Sequence, residues 1–150
     1  MHISEKLSLD CGVNSIQPKI PLGFFPLSSN NLIILENSKS NEEYLHFEEV
    51  INYMSSLAVK KKRELIQIKI NPQDKTLDRC KPYSQLSLPQ FNWLIKNADL
   101  LISNNPYSCA VASALNVKAI QIHKNFPEKS FKHIWGKELK ANFTQDGKLY

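Results

Sequence analysis

Apolar and polar positions along this chain follow two rhythms, one of strands and one of helices. The run Leu32-Ile33-Ile34-Leu35 is apolar without interruption, the pattern of a strand covered on both faces. After the polar stretch ENSKSNEE, Phe47, Val50, Ile51, Met54 and Leu57 recur at helical spacing and predict an amphipathic helix. Residues 64–70, ELIQIKI, return to a strand rhythm rich in β-branched side chains. A loop of turn formers, NPQDKTLDRCKPYSQ, leads to a second helix, with Ser87 as its N-cap and Phe91, Leu94, Ile95 and Ala98 as its stripe. Asp99 to Ser103 predicts a third strand, and Asn104-Asn105-Pro106 a turn whose proline suits a first helical position. Ser108 to Leu115 follows as a short helix with a small-residue face at Ala110, Ala112, Ser113 and Ala114, and Lys118 to Ile122 as a fourth strand. A terminal helix capped by Ser130 is expected across FKHIWGKEL.

Strand and helix alternate four times with short loops, which predicts an α/β, Rossmann-like parallel sheet of about four or more strands with helices on both faces. Residues 1–31 read as an extended lead-in punctuated by Pro18, Pro21 and Pro26, with a short helix near Ser4 to Leu9. Residues 32–140 form the expected domain, and 141–150 a loosely held tail. A chain of 150 residues is enough for one ordinary core. At 42% hydrophobic and 22% charged residues it has the balance of a globular protein, and no apolar run nears the roughly 18 residues that a membrane span needs. The opening MHISEKLSLDCGV lacks the basic start and apolar core of a signal peptide, so a cytoplasmic location is expected. Cys11, Cys80 and Cys109 are widely spaced, fitting neither a disulfide framework nor a zinc pattern.

Charge adds one feature. The formal excess of +5 includes a dense run, Lys60, Lys61, Lys62 and Arg63. Two readings stand: cations complementing the end of a helix, or a patch for peripheral contact with an anionic membrane. No aromatic-interleaved basic motif accompanies it, so nucleic acid is not an expected partner.

In open parallel sheets, ligands bind beyond the carboxyl ends of the strands, where helix N-termini present free N–H groups. The loop after the third strand offers the richest set of polar side chains at a helix start: Ser103, Asn104, Asn105 and Ser108. Lys39 and Asp74 join the candidates from the loops after the first and second strands. The same residues also suit plain turn and capping chemistry, and the alanines plain packing. Neither GxGxxG nor GxxxxGK[ST] is present, so no dinucleotide site or P-loop is expected, and no cofactor. The four histidines have no metal-ligand spacing, so no metal is expected.

Residues 84–122, SQLSLPQFNWLIKNADLLISNNPYSCAVASALNVKAIQI, resemble the C-terminal domain of GT-B glycosyltransferases of the heptosyltransferase type, which build the lipopolysaccharide core. The likeness rests on Leu86, Leu88, Leu94, Ile95, Ala98-Asp99-Leu100, Ile102, Asn104, Ala112, Ala114-Leu115 and Val117. It implies an inverting, metal-independent transfer from a nucleotide-sugar donor whose diphosphate lies near the third strand's loop. A second Rossmann-like domain or chain would supply the acceptor side, and the catalytic residues are left unassigned. The family's Asp, Gly and His fall on Asn105, Tyr107 and Ala110 here, which removes backbone freedom and a polar donor-site group. Those departures motivate the alternative of a non-catalytic binding module. A different Rossmann-like enzyme, such as a nucleotide-sugar epimerase, is the third reading.

Overall fold

The computed structural model describes residues 9–12, 19–27, 31–38, 46–123 and 138–142. Strand β1, Leu32–Glu36, is buried along its whole length, as an unbroken apolar run requires. It pairs in parallel with β2, Glu64–Lys69, on one side and β4, Ala98–Ser103, on the other. Two outer strands continue each side: β3, Lys81–Ser84, beyond β2, and β5, Ala119–His123, followed by β6, Glu138–Asn142, beyond β4. The six strands thus run in the order β3-β2-β1-β4-β5-β6, all parallel. The chain starts at the centre, winds outward, and returns beside β1 to wind the other way. The reversal falls between β1 and β4, the place where such sheets open a crevice at their carboxyl ends.

The two-residue period of β1 divides the core. Ile33 and Leu35 face helix α1, Phe47–Lys61, and pack with its Phe47, Ile51, Met54 and Ala58. Leu32 and Ile34 face the other layer, where α2, Leu88–Lys96, and α3, Pro106–Ala114, contribute Leu94, Ile95, Cys109 and Ala112. The helix ends follow local chemistry. Ser87 and Gln90 close a reciprocal capping box at the start of α2. α1 ends where Lys62 turns left-handed (φ 52°) and Arg63 N–H donates to the Ala58 carbonyl at 2.8 Å. α3 ends the same way at Asn116 (φ 59°), with Val117 N–H on the Ala112 carbonyl at 2.8 Å.

The four expected strands and three of the expected helices are present, with ends shifted by a residue or two. α3 starts at Pro106, two residues before the expected Ser108, because the proline takes the first helical position. Two strands differ from expectation. β3 lies inside the segment read as a loop; it is an exposed edge strand of four residues, and an edge is where Pro82 is tolerated. Its connection is held from the core by Gln67, which donates Nε2–H to the Lys75 carbonyl and accepts from Leu77 N–H. β6 includes Glu138 and Leu139, expected to end a helix, and Ala141 and Asn142, expected in a loose tail. Parallel pairing with β5 supplies the backbone partners that a tail would lack. The rest of that expected helix, residues 131–137, lies outside the described residues, as does most of the one expected near Ser4 to Leu9.

The described part of the lead-in is a strap over α2. Gly23 N–H donates to the Pro89 carbonyl at 3.0 Å, and a Cβ on Gly23 would stand 2.8 Å from the Pro89 Cβ. Asn92 Nδ2 donates to the Pro21 carbonyl, Phe24 packs edge-on to Trp93, and Phe25 to Tyr83. Glycine at 23 lets the strap lie this close.

The small face of α3 sets the distance between helix and sheet, since Ala112 is fully buried there. Replacing Ala112 by Leu is expected to destabilise the fold by about 1–3 kcal/mol through overpacking. A urea unfolding midpoint unchanged from the parent would refute this account of the small residues.

Candidate functional site

At the carboxyl ends of β1 and β4 the sheet buries a carboxylic acid. Glu36 ends β1 with 1% of its surface exposed. Its Oε2 accepts from Ser103 Oγ at 2.7 Å and its Oε1 from Asn105 Nδ2 at 3.1 Å. Burial pushes the Glu36 pKa above its ordinary 4.5, against the opposing pull of the Ser108, Ser103 and Asn105 side chains. The buried Ser108 hydroxyl exerts that pull without meeting full hydrogen-bond geometry to any partner.

The same residues build the start of α3. Ser103 Oγ accepts from Asn105 N–H at 2.9 Å, and Asn105 Oδ1 caps the helix by accepting from Tyr107 N–H at 3.0 Å. Asn104 clasps the loop after β1: its Oδ1 accepts from Ser38 N–H and its Nδ2 donates to the Ser38 carbonyl, each at 2.8 Å. Four of the six candidate residues, Ser103, Asn104, Asn105 and Ser108, therefore come together, each no more than 8% exposed. The side chains of Ser103, Asn104 and Asn105 are thus engaged with Glu36, with the loop after β1 and with the start of α3 itself. Asp74 does not join them; it sits in the turn after β2, its N–H on the Asn71 carbonyl. Lys39 lies outside the described residues.

Beside this group, on the β2 and β3 side, a cleft of about 280 Å³ opens at the carboxyl edge of the sheet. Asn105 belongs to its wall as well as to the Glu36 group. Tyr83 and the stacked pair Phe91 and Tyr107, with ring centroids 6.1 Å apart and 27° between planes, give it aromatic sides. Half of Tyr107 remains exposed. Lys69 brings a cation to the margin, its Nζ 3.3 Å from Thr76 Oγ1. No group of three or more His, Cys, Asp or Glu side chains suited to a metal occurs among the described residues. The thiol of Cys80 is pushed up to about 11, mainly by burial and then by Asp78, so it is protonated and unreactive at neutral pH.

The arrangement can be set beside known proteins. No protein-family model matches the chain, and no curated protein matches it. Among solved structures it is similar to UDP-GlcNAc 2-epimerase from Methanocaldococcus jannaschii, with a TM-score of 0.55 and 13% identity, over 76% of this chain and 36% of that one. The fold is GT-B-like. At that identity the likeness reaches the fold alone, and the chain spans 36% of the neighbour's length.

Sequence reasoning missed Glu36 and the aromatic cleft. A signal for the first was present: an acid that continues an all-apolar buried strand, LIILE, must itself be buried or end the sheet. The cleft has no such signal, because it depends on β3, whose four residues carry no strand rhythm.

A pH dependence follows from the direction of the Glu36 shift. A carboxyl whose folded pKa is raised stabilises the fold fully below about 4.5, and that contribution is lost as pH rises through the folded value. Glu36→Gln, uncharged and of like shape, is expected to lack this slope and to match or exceed the parent near neutral pH. Glu36→Ala is expected to cost about 1–3 kcal/mol for each donor left unpaired. Urea unfolding from about pH 4 to about pH 8 checks both; identical pH slopes for parent and Glu36→Gln would remove Glu36 as their source.

Proposed function

We propose that this chain is the donor-binding half of a GT-B-type enzyme that handles nucleotide sugars. The observation that carries the reading is the aromatic-walled cleft at the carboxyl edge of the parallel sheet, next to the reversal between β1 and β4. At about 280 Å³ it lies just below the roughly 300–1,000 Å³ of pockets for whole small ligands. It therefore suits part of a sugar nucleotide, the base and ribose against Tyr107 and Tyr83. The diphosphate would run toward Lys69 and the start of α3; Lys39, the candidate from the loop after β1, lies outside the described residues. Ser103, Asn104, Asn105 and Ser108 would then serve by shaping the donor site more than by direct contact. Asp74, outside the cleft wall, would act only if the turn after β2 closes on the donor.

Inverting, metal-independent transfer, as the resemblance of residues 84–122 implies, would need a second Rossmann-like domain to close over the cleft and bring the acceptor. Work on cell-envelope glycan or lipopolysaccharide in the cytoplasm is the setting that this reading suits. No helix among the described residues is long and apolar enough to cross a membrane.

One observation favours the second reading, a binding module without transfer chemistry. The polar side chains at the start of α3 already surround the protein's own carboxyl, Glu36, where the resemblance places the donor's diphosphate.

Calorimetry with a panel of ADP- and UDP-sugars separates the two. The donor-half reading expects saturable binding that Tyr107→Ala weakens about tenfold, within the ~1–3 kcal/mol of an aromatic stack on a base. Absence of binding by any of them at about 1 mM would turn the assignment to the binding module.

A further inference from the structure

The edge of the sheet opposite the cleft gathers five exposed lysines. The sequence shows a run of four, but the fold divides it. Arg63 turns back, its Nη1 2.7 Å from Asp99 Oδ2 and 2.7 Å from Asn31 Oδ1, and is half-buried. Lys60, Lys61 and Lys62 stay exposed where α1 ends. Strand register then brings in two lysines that are distant in sequence. Leu32 of β1 aligns with Glu64 of β2 and Ala98 of β4, and Leu101 of β4 with Ala119 of β5. The segments that enter β2, β4 and β5 therefore share one edge. Lys96, which ends α2, and Lys118, which precedes β5, are exposed on it.

We propose that this edge docks on an anionic lipid surface through Lys60, Lys61, Lys62, Lys96 and Lys118, with the cleft facing away from the lipid. The four strands involved span about 14 Å at ~4.8 Å per strand. Lys60, Lys61 and Lys62 end the helix on one face of the sheet and Lys96 the helix on the other, so the charges frame this edge from both sides. Of the acids at the edge, Asp99 is paired with Arg63, and Glu64, half-buried at the start of β2, offsets one charge against five. Favourable helix-end electrostatics account for a cation at the end of α1 or α2. They do not account for Val59, 81% exposed beside Lys60. An apolar side chain within a basic cluster has a use at a lipid interface and none against a phosphate backbone, which places lipid ahead of nucleic acid. This inference does not rest on nucleotide binding in the cleft.

Sedimentation of the full chain with phosphatidylcholine vesicles, with and without phosphatidylglycerol, tests it. Binding is expected only to the anionic vesicles and is expected to fall steeply with added salt. Substituting Lys60, Lys61 and Lys62 together by Ala should weaken it by about a hundredfold, from roughly fivefold per lysine, and by Glu by well over a hundredfold. The Ala variant keeps the test open if the Glu variant fails to fold. Lys75→Glu, an exposed lysine on the connection after β2, should leave binding unchanged. No anionic-vesicle binding, equal losses in Lys75→Glu and the triple variants, or tighter binding of duplex DNA or RNA through the same lysines would each overturn the proposal.

Discussion

One buried carboxyl organises the carboxyl edge of this sheet. An ionised group of this kind costs several kcal/mol to desolvate unless it is well bonded. Glu36 meets that cost with the Ser103 hydroxyl and the Asn105 amide, both belonging to the strand and turn across the sheet's point of reversal. The bonds that satisfy it are also the bonds that fix the architecture. Asn105, held at one end by Glu36, caps α3 with the other, and the capped residue is Tyr107, one ring of the cleft's stacked wall. Strand end, helix start and cleft wall are thus successive links of one hydrogen-bonded chain. Asn104 adds the remaining connection by taking over the backbone pairing of Ser38, so that the loop after β1 follows the same anchor.

The parts of this fold that the sequence displays are those whose burial follows a regular period along the chain. β1 is covered on both faces and reads as an unbroken apolar run; α1 is covered on one side and reads as a stripe. The inner strands were legible for that reason. β3 was not, because an edge strand of Lys, Pro, Tyr and Ser is stabilised by pairing with β2 and by the ring of Phe25 against Tyr83, neither of which has a local trace. β6 poses the same difficulty: what makes Glu138–Asn142 a strand is the neighbouring edge of β5. Of the candidate site, the residue types at the start of α3 were legible and their direction was not. Ser, Asn, Asn and Ser at a helix start suit an external anion and an internal carboxyl equally well. Only the partner across the sheet decides between them.

That ambiguity bears on how the resemblance is weighed. Residues 84–122 match the apolar framework of the family they resemble, and the Rossmann-like fold agrees with that framework. Frameworks of this kind are set by packing: Ala112 and Leu94 are both fully buried in one cluster between helices and sheet. The positions that depart from the family pattern, Asn105, Tyr107 and Ala110, lie on the turn and first turns of α3, at the carboxyl edge of the sheet. A likeness strongest in the core and weakest at the site bears on fold more than on activity.

The two ends of the sheet differ for a reason that precedes any ligand. In a parallel α/β fold every helix N-terminus lies at the strands' carboxyl edge and every helix C-terminus at the other, so the macrodipoles add rather than cancel. The carboxyl edge favours negative groups, and here it holds Glu36; the opposite edge favours cations, and here it holds Lys60, Lys61, Lys62 and Lys96 at the ends of α1 and α2. A ligand phosphate at the cleft would compete for the same N-terminal field that Glu36 already occupies. Burial already raises the Glu36 pKa above its ordinary value, so a second negative group brought to this edge would push the carboxyl further toward its neutral form. The structural anchor and the proposed donor site thus draw on one helix-start field, and the charge on Glu36 sets how much of that field is left for a ligand.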